Sequence, residues 1–152
     1  MEQWLPAKRA FTLIELLVVI AIIAILAGLI LNTAGYIQRR GATSRAEAEI
    51  AALTVALENY KADNGTYPLG TSVNGVNAPT DNSFLLNSLM PNTGRVYFEF
   101  NKSMTNAGNV VDPFGENYGY QYPGDEKRSG PNFFDLFSRC ASPKTEQWRG
   151  NW

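Results

Sequence analysis

The sequence predicts an α+β fold: a long N-terminal helix whose second half packs on a small three-stranded antiparallel sheet. Three observations predict it. From Leu16 to Leu31 the chain reads LLVVIAIIAILAGLIL, with no polar side chain. Beyond that run, Ala46, Ile50, Leu53, Leu57 and Tyr60 recur at alternating four- and three-residue steps, one stripe of an amphipathic helix. After Asn64-Gly65 the pattern changes to turn residues separating short alternating or aromatic segments, the habit of strands.

The helix is expected from about residue 12 to about 63, roughly 75 Å at 1.5 Å per residue. Its first part, taken back through Phe11, would be about 30 Å long, the thickness of a bilayer's hydrocarbon core. A rod that is apolar on all sides needs burial on all sides. Lipid supplies it more simply than a head of this size could. Gly28, Gly35 and Gly41 weaken the helix and mark places where it could bend. Arg45 and Glu49, four apart on the polar side, can pair. The Ala-rich stretch from Ala46 to Ala56 favours helix, and Gly65 supplies a left-handed C-terminal cap.

The head begins with a surface loop, Asn64 to Pro79, rich in Gly, Asn, Thr and Pro. Thr80-Asp81 can cap a short helix, Asn82 to Met90, closed by Pro91. Three strands follow: Arg95 to Asn101, where Val96, Phe98 and Phe100 alternate with Tyr97 and Glu99; Asn117 to Tyr122; and Asn132 to Ser138. Asp112-Pro113 with Gly115, Pro123-Gly124 and Gly130-Pro131 supply the turns. A sheet of these strands on the Ala46–Tyr60 stripe buries both apolar faces. The head's aromatics fall at strand spacing and read as core before they read as a ligand-stacking surface.

At 152 residues the chain accommodates one globular core and an anchor. Formal charge is −1 with no long charged run, so no nucleic-acid partner is expected. Histidine is absent, which removes the commonest general base and metal ligand and any His-activated nucleophile. The lone Cys140 closes no intrachain disulfide and reads as a packed thiol. Asp112, Glu116, Asp125, Glu126 and Asp135 are scattered among turn signals and read as solvated or capping groups. Enzymatic chemistry has little to work with, and no catalytic residue is assigned.

The N-terminal edge of the apolar run carries the functional signal. Residues 1–10 form a short leader ending in Lys8-Arg9-Ala10. Its basic residues ahead of an apolar stretch resemble a secretory signal. However, the run is longer than a signal's apolar region, and no small-x-small site follows it cleanly. Lys8 and Arg9 before the span are balanced by Arg39 and Arg40 after it, so charge counting leaves orientation open. Glu15 is the informative residue, because a carboxylate in an apolar span costs about 2–3 kcal/mol or more without a partner. Cleavage between Ala10 and Phe11 would place a new α-amino group about one helical turn from it, within one chain or between staggered neighbours.

The segment Lys8-Arg9-Ala10-Phe11-Thr12-Leu13-Ile14-Glu15-Leu16-Leu17-Val18-Val19-Ile20 resembles the processing and assembly segment of type IV pilins and type II secretion pseudopilins. The resemblance implies a prepilin peptidase that cuts before Phe11 and methylates the new N-terminus, and a docking role for Glu15. Ala10 departs from the usual Gly before the cut. Asp112-Pro113-Phe114-Gly115-Glu116-Asn117-Tyr118-Gly119-Tyr120, Phe134-Asp135-Leu136-Phe137-Ser138, Gly150-Asn151-Trp152 and Asn64-Gly65-Thr66-Tyr67-Pro68 are similar to the head of the major pseudopilin of type II secretion. The missing cysteine pair points the same way, since many type IV pilins close their C-terminal region with a disulfide.

The resemblance implies residues 1–10 as leader, 11–31 as transmembrane and polymerisation helix, and 32–152 as a periplasmic head that includes the second half of the helix. It implies an inner-membrane, single-pass subunit that self-associates into a helical filament driving protein export. Its partners would be the lipid bilayer, the prepilin peptidase, minor pseudopilins and an inner-membrane assembly platform. The alternatives are a type IV pilin for adhesion, twitching motility or DNA uptake, and a membrane-tethered binding module that stays monomeric.

Calcium in the loop after the last strand is also implied by the family, but the loop here reads Arg139-Cys140-Ala141-Ser142-Pro143-Lys144-Thr145-Glu146-Gln147-Trp148-Arg149. Calcium takes several, mostly anionic, oxygen ligands. One carboxylate among three basic residues does not supply them, so no cofactor or metal ligand is assigned. Trp148 and Trp152 are expected to hold the loop by packing.

Overall fold

The computed structural model describes residues 11–71 and 80–152, with backbone only at 30–34. The chain divides into two compact units, Met1–Arg39 and Arg40–Trp152. Helix α1, Leu13–Asn64, contributes to both. Gly28, Gly35 and Gly41 all lie within it without interrupting it. It ends as the Asn64-Gly65 pair predicts: Gly65 takes φ +78°, and its N–H donates to Lys61 O at 2.7 Å.

In the second unit, Ala46, Ile50, Leu53, Ala56 and Leu57 are buried on one face of α1, and Tyr60 packs against the same cluster. The stripe read from the sequence is therefore the helix's contribution to the core. Opposite it lie Tyr67, Leu85, Leu89, Val110, Tyr118, Tyr120, Phe134 and Leu136. The aromatics meet mostly edge to face, as at Tyr67–Phe134 with centroids 4.8 Å apart, so they fill a core as expected. Polar atoms tie α1 to the sheet side. Glu49 receives Arg45 Nε at 2.8 Å on one oxygen and Tyr118 OH at 2.9 Å on the other.

The sheet differs from the expected one. It has four antiparallel strands rather than three, in the order β1-β4-β5-β6: β1 Gly70–Thr71, β4 Gly119–Tyr122, β5 Asp135–Ser138 and β6 Arg149–Gly150. A separate hairpin pairs β2, Thr105–Asn106, with β3, Asn109–Val110. The second and third expected strands survive, shortened, as β4 and β5. Arg95 to Asn101 is not a strand. There the N–H groups of Tyr97 and Phe98 both donate to Leu89 O, at 2.8 and 3.2 Å, so this backbone is satisfied by the end of a helix and not by a ladder. Phe98 and Phe100 still pack on the core.

The short helix is α2, Ser83–Leu89, with Asn82 at its N-cap. Asn82 is fully buried, and its side chain acts across the fold instead of capping. Its Nδ2 donates to Val110 O and Tyr118 O at 2.8 and 2.9 Å, and its Oδ1 accepts from Val110 N–H at 2.7 Å. The capping contact falls to Asp81, which accepts Ser83 N–H at 2.8 Å. Of the expected Asn64–Pro79 loop, the part beyond Thr71 lies outside the described residues.

Candidate functional site

The first unit is defined by what its side chains lack. From Phe11 to Leu29, large apolar groups are exposed on every side of the helix: Leu13 is 87% exposed, and Leu17, Ile20, Ile23, Leu26 and Leu29 are all above half. No stripe is turned inward, so the apolar surface runs round the rod, the pattern of a helix meant to be surrounded. Among the described residues, no helix is long and apolar enough to cross a membrane. The described side chains of the apolar run end at Leu29, roughly 25 Å of helix from Leu13, whereas a bilayer's hydrocarbon core is ~30 Å thick. Residues 30 and 31 of the expected span are among those described by backbone alone.

At the start of this rod the structure builds a site around Glu15. The Thr12 N–H and the Thr12 hydroxyl both donate to Glu15 Oε2 at 2.8 Å, and Glu15 N–H donates to Thr12 Oγ1 at 3.3 Å. With α1 beginning at Leu13, Thr12 is the N-cap and Glu15 the third helical residue, a reciprocal capping box. The box satisfies backbone donors that a helix start leaves unpaired, and it folds the Glu15 carboxylate back toward Phe11. A groove of about 400 Å³ on this surface is lined by Phe11, Ile14, Glu15, Val18 and Val19. Glu15 is thus an exposed acid set in a shallow, open apolar surface between Phe11 and Val19. Thr12 is the residue that reading Glu15 alone misses, although Thr-x-x-Glu ahead of an apolar run is a sequence signal for this box. Of the expected processing pair, Phe11 is exposed, and Ala10 lies outside the described residues.

The head's carboxylates are not all solvated. Asp112 is buried and closes the turn before Asn117: its Oδ1 accepts Phe114 and Glu116 N–H at 2.9 Å each, and Ser138 Oγ donates to its Oδ2. Burial raises its pKa, against the pull of these hydrogen bonds. Asp135 is likewise fully buried, in β5. Cys140 is buried beside Ser138, whose Oγ accepts the Cys140 N–H at 3.0 Å, in keeping with a packed thiol.

The loop after β5 does not fit calcium. Glu146, its one carboxylate, is exposed, and two of the loop's carbonyls already serve the fold: Ser142 O accepts Trp148 Nε1 at 3.0 Å, and Arg139 O accepts Ser142 N–H at 3.0 Å. Among the described residues, no group of three or more His, Cys, Asp or Glu side chains converges on a point that could hold a metal ion. Trp148 is buried and stacks on Phe137 with centroids 5.1 Å apart, so packing holds this end of the head.

An α+β head together with a helix that begins as an apolar rod headed by a capped glutamate defines the pilin-like class of subunit. Comparison with known proteins agrees. Residues 5–31 match the family described as Prokaryotic N-terminal methylation motif, and residues 36–147 match Type II secretion system (T2SS), protein G. The chain is 33% identical to the type II secretion system core protein G of Pseudomonas aeruginosa over 141 residues, covering 90% of this chain and 86% of that one. It is 34% identical to that of Escherichia coli K12, covering 91% and 84% of the two chains, and 30% identical to that of Klebsiella michiganensis, covering 96% and 94%. No solved structure matches the chain. The chain belongs to the type II secretion system protein G family. It is a structural subunit and not an enzyme.

Proposed function

We propose that the chain is the repeating subunit of a type II secretion pseudopilus, cut between Ala10 and Phe11 by a prepilin peptidase, N-methylated, and polymerised through its apolar helix to drive protein export. Residues 1–10 act as leader, 11–31 as the membrane and polymerisation helix, and 32–152 as the periplasmic head. The observation that carries this reading is the rod whose apolar side chains stay exposed on all sides from Phe11 to Leu29. Such a surface can exchange lipid for identical rods with little change in apolar burial. Anchoring as a single inner-membrane span rests on the sequence continuing apolar to Leu31.

The Thr12–Glu15 box supports the docking role of Glu15. It keeps the carboxylate within the apolar surface that Phe11 begins, one turn from where cleavage would create a positive amino group. That group can be the chain's own or a neighbour's, and pairing removes the cost of an unpartnered acid in an apolar surface. The partners of this reading are further copies of the chain, minor pseudopilins, the peptidase and an inner-membrane assembly platform.

Glu15→Ala tests it. The variant is expected to fractionate with membranes as the wild type does and to lose at least about tenfold in filament yield, the loss of one charge-pair's worth of association. Normal filament yield contradicts the docking role. Filament subunits whose N-terminal peptide begins at Met1 contradict the processing. The reading as a surface type IV pilin is favoured only if sheared cells release filaments while export survives deletion.

A further inference from the structure

Alternation along β5 puts Asp135 and Phe137 on the face opposite Leu136, which packs with the α1 stripe. Phe137 sits between two glycines in register, Gly119 on β4 and Gly150 on β6. A Cβ at Gly119 would collide with the Phe137 ring, and one at Gly150 would come within 2.5 Å of the Trp152 ring. Trp148 and Trp152 flank Gly150 by two residues each and rise on the same face. Trp148 stacks on Phe137 with rings 2° from parallel, and Trp152 lies 5.6 Å from it at 59°. The two glycines thus clear a slot for three large rings, a second apolar cluster separate from the main core.

Over this cluster lies Arg128. Its Cζ is 4.8 Å from the Trp152 ring, 5.0 Å from Phe137 and 5.7 Å from Trp148. Its side chain is 15% exposed, and Nη1 stands 4.0 Å from Oδ2 of the buried Asp135. Asp135 also holds the turn that delivers the arginine: its oxygens accept Asp125 N–H at 2.9 Å and Ser129 N–H at 3.1 Å. Asp125 O in turn accepts the N–H groups of Arg128 and Gly130, each at 2.9 Å. One carboxylate therefore both positions the cation and needs it, since a buried charge without a counter-charge is strongly destabilising.

We propose that Arg128 is a tethered cation that takes the place of a bound metal ion in this head, locking β5, β6 and the chain end together so that their folding is independent of calcium. A guanidinium suits the site because it is a weakly hydrated cation that can lie against three rings with its charge 4.0 Å from a carboxylate oxygen, whereas a compact, strongly hydrated ammonium tolerates such an apolar setting less well. With Arg139 Cζ 5.7 Å from the same Trp148 ring, a divalent cation entering here would meet two positive charges.

The test uses the full processed chain in detergent micelles, melted with tryptophan emission as readout, in excess EDTA and in millimolar calcium. The wild type is expected to melt within about 1 °C in the two conditions, whereas a site filled at a hundred times its Kd would raise Tm by about 10 °C. Arg128→Ala should lower Tm by about 5–10 °C and shift the emission of Trp148 and Trp152 to the red, equally with and without calcium. Arg128→Lys should recover less than half of that loss. A calcium-dependent rise in wild-type Tm of several degrees overturns the proposal, as does Arg128→Ala melting at the wild-type temperature. If Arg128→Ala does not accumulate folded, Arg128→Lys decides: melting at the wild-type temperature overturns the stacking role.

Discussion

Leu17 and Leu53 lie in the same assigned helix and have opposite fates. Leu17 is exposed in the first unit, and Leu53 is fully buried in the second. The residue type is the same and so is the backbone, and what differs is the pattern around each. Before Leu31 every face is apolar, so no face of a lone chain can be preferred for burial. After Arg40 the apolar residues keep to one stripe, and a small sheet can cover it. The acids divide in the same way. Glu15 is exposed and served by Thr12 at the start of its own helix, while Asp112 and Asp135 are buried in the head, where Ser138 of β5 donates to Asp112 and the backbone of Asp125 and Ser129 to Asp135. The first region is finished by association and the second by folding.

Substitutions can break that comparison. The largest difference is expected between matched leucines. Leu53→Ala should cost the head about 2–5 kcal/mol in denaturant unfolding, the range for a buried leucine leaving a cavity. Leu17→Ala should leave head unfolding unchanged within about 0.5 kcal/mol, because its side chain is exposed. Equal effects would erase the distinction. Asn82→Ala comes next: it strands buried groups on Val110 and Tyr118, at about 2–3 kcal/mol in the same assay.

A smaller effect sharpens the contrast between acids. Burial holds the Asp112 carboxyl above its ordinary 3.8, with the hydrogen bond from Ser138 opposing and the charge of Glu49 adding. The folded state then binds this proton more tightly than the unfolded state does. The group's contribution to stability is full below 3.8 and is lost as pH rises through the raised folded value. Asp112→Asn should flatten the fall of unfolding free energy with pH above 3.8, and an unchanged slope would remove Asp112 as its source. Smallest is Arg45→Ala. The Arg45–Glu49 pair is 2.8 Å long with the arginine 52% exposed, so its loss should cost about 0.5 kcal/mol or less.

These contrasts explain what the sequence made legible. The α1 stripe, its Gly65 end and the apolar rod were readable because helical period and capping are local properties. β4 and β5 were readable for the same reason, within a few residues at each end. Strands β1 and β6 were not, since two residues carry no period and their pairing is decided by what lies opposite. Arg95 to Asn101 misled because its alternation has no strand neighbour to act on: Val96 is exposed, while Tyr97 packs on the core together with Phe98 and Phe100. At the candidate site Glu15 stood out by its charge. Thr12 did not stand out, although its capping signature is local, because an uncharged side chain signals no counter-charge for an acid. The Arg128 contacts depend on Gly119 and Gly150 lying beside Phe137, which only the sheet register brings about.

Polymerisation as proposed moves the rod from lipid to other copies of itself. A fluorophore on Ile20→Cys, in a Cys140→Ser background, reads this directly through a quencher dissolved in the bilayer. It should be strongly quenched in membranes before assembly and protected from the quencher once filaments have formed with the secretion machinery present. Equal quenching in both states, or a processed chain that stays single with that machinery present, would contradict it.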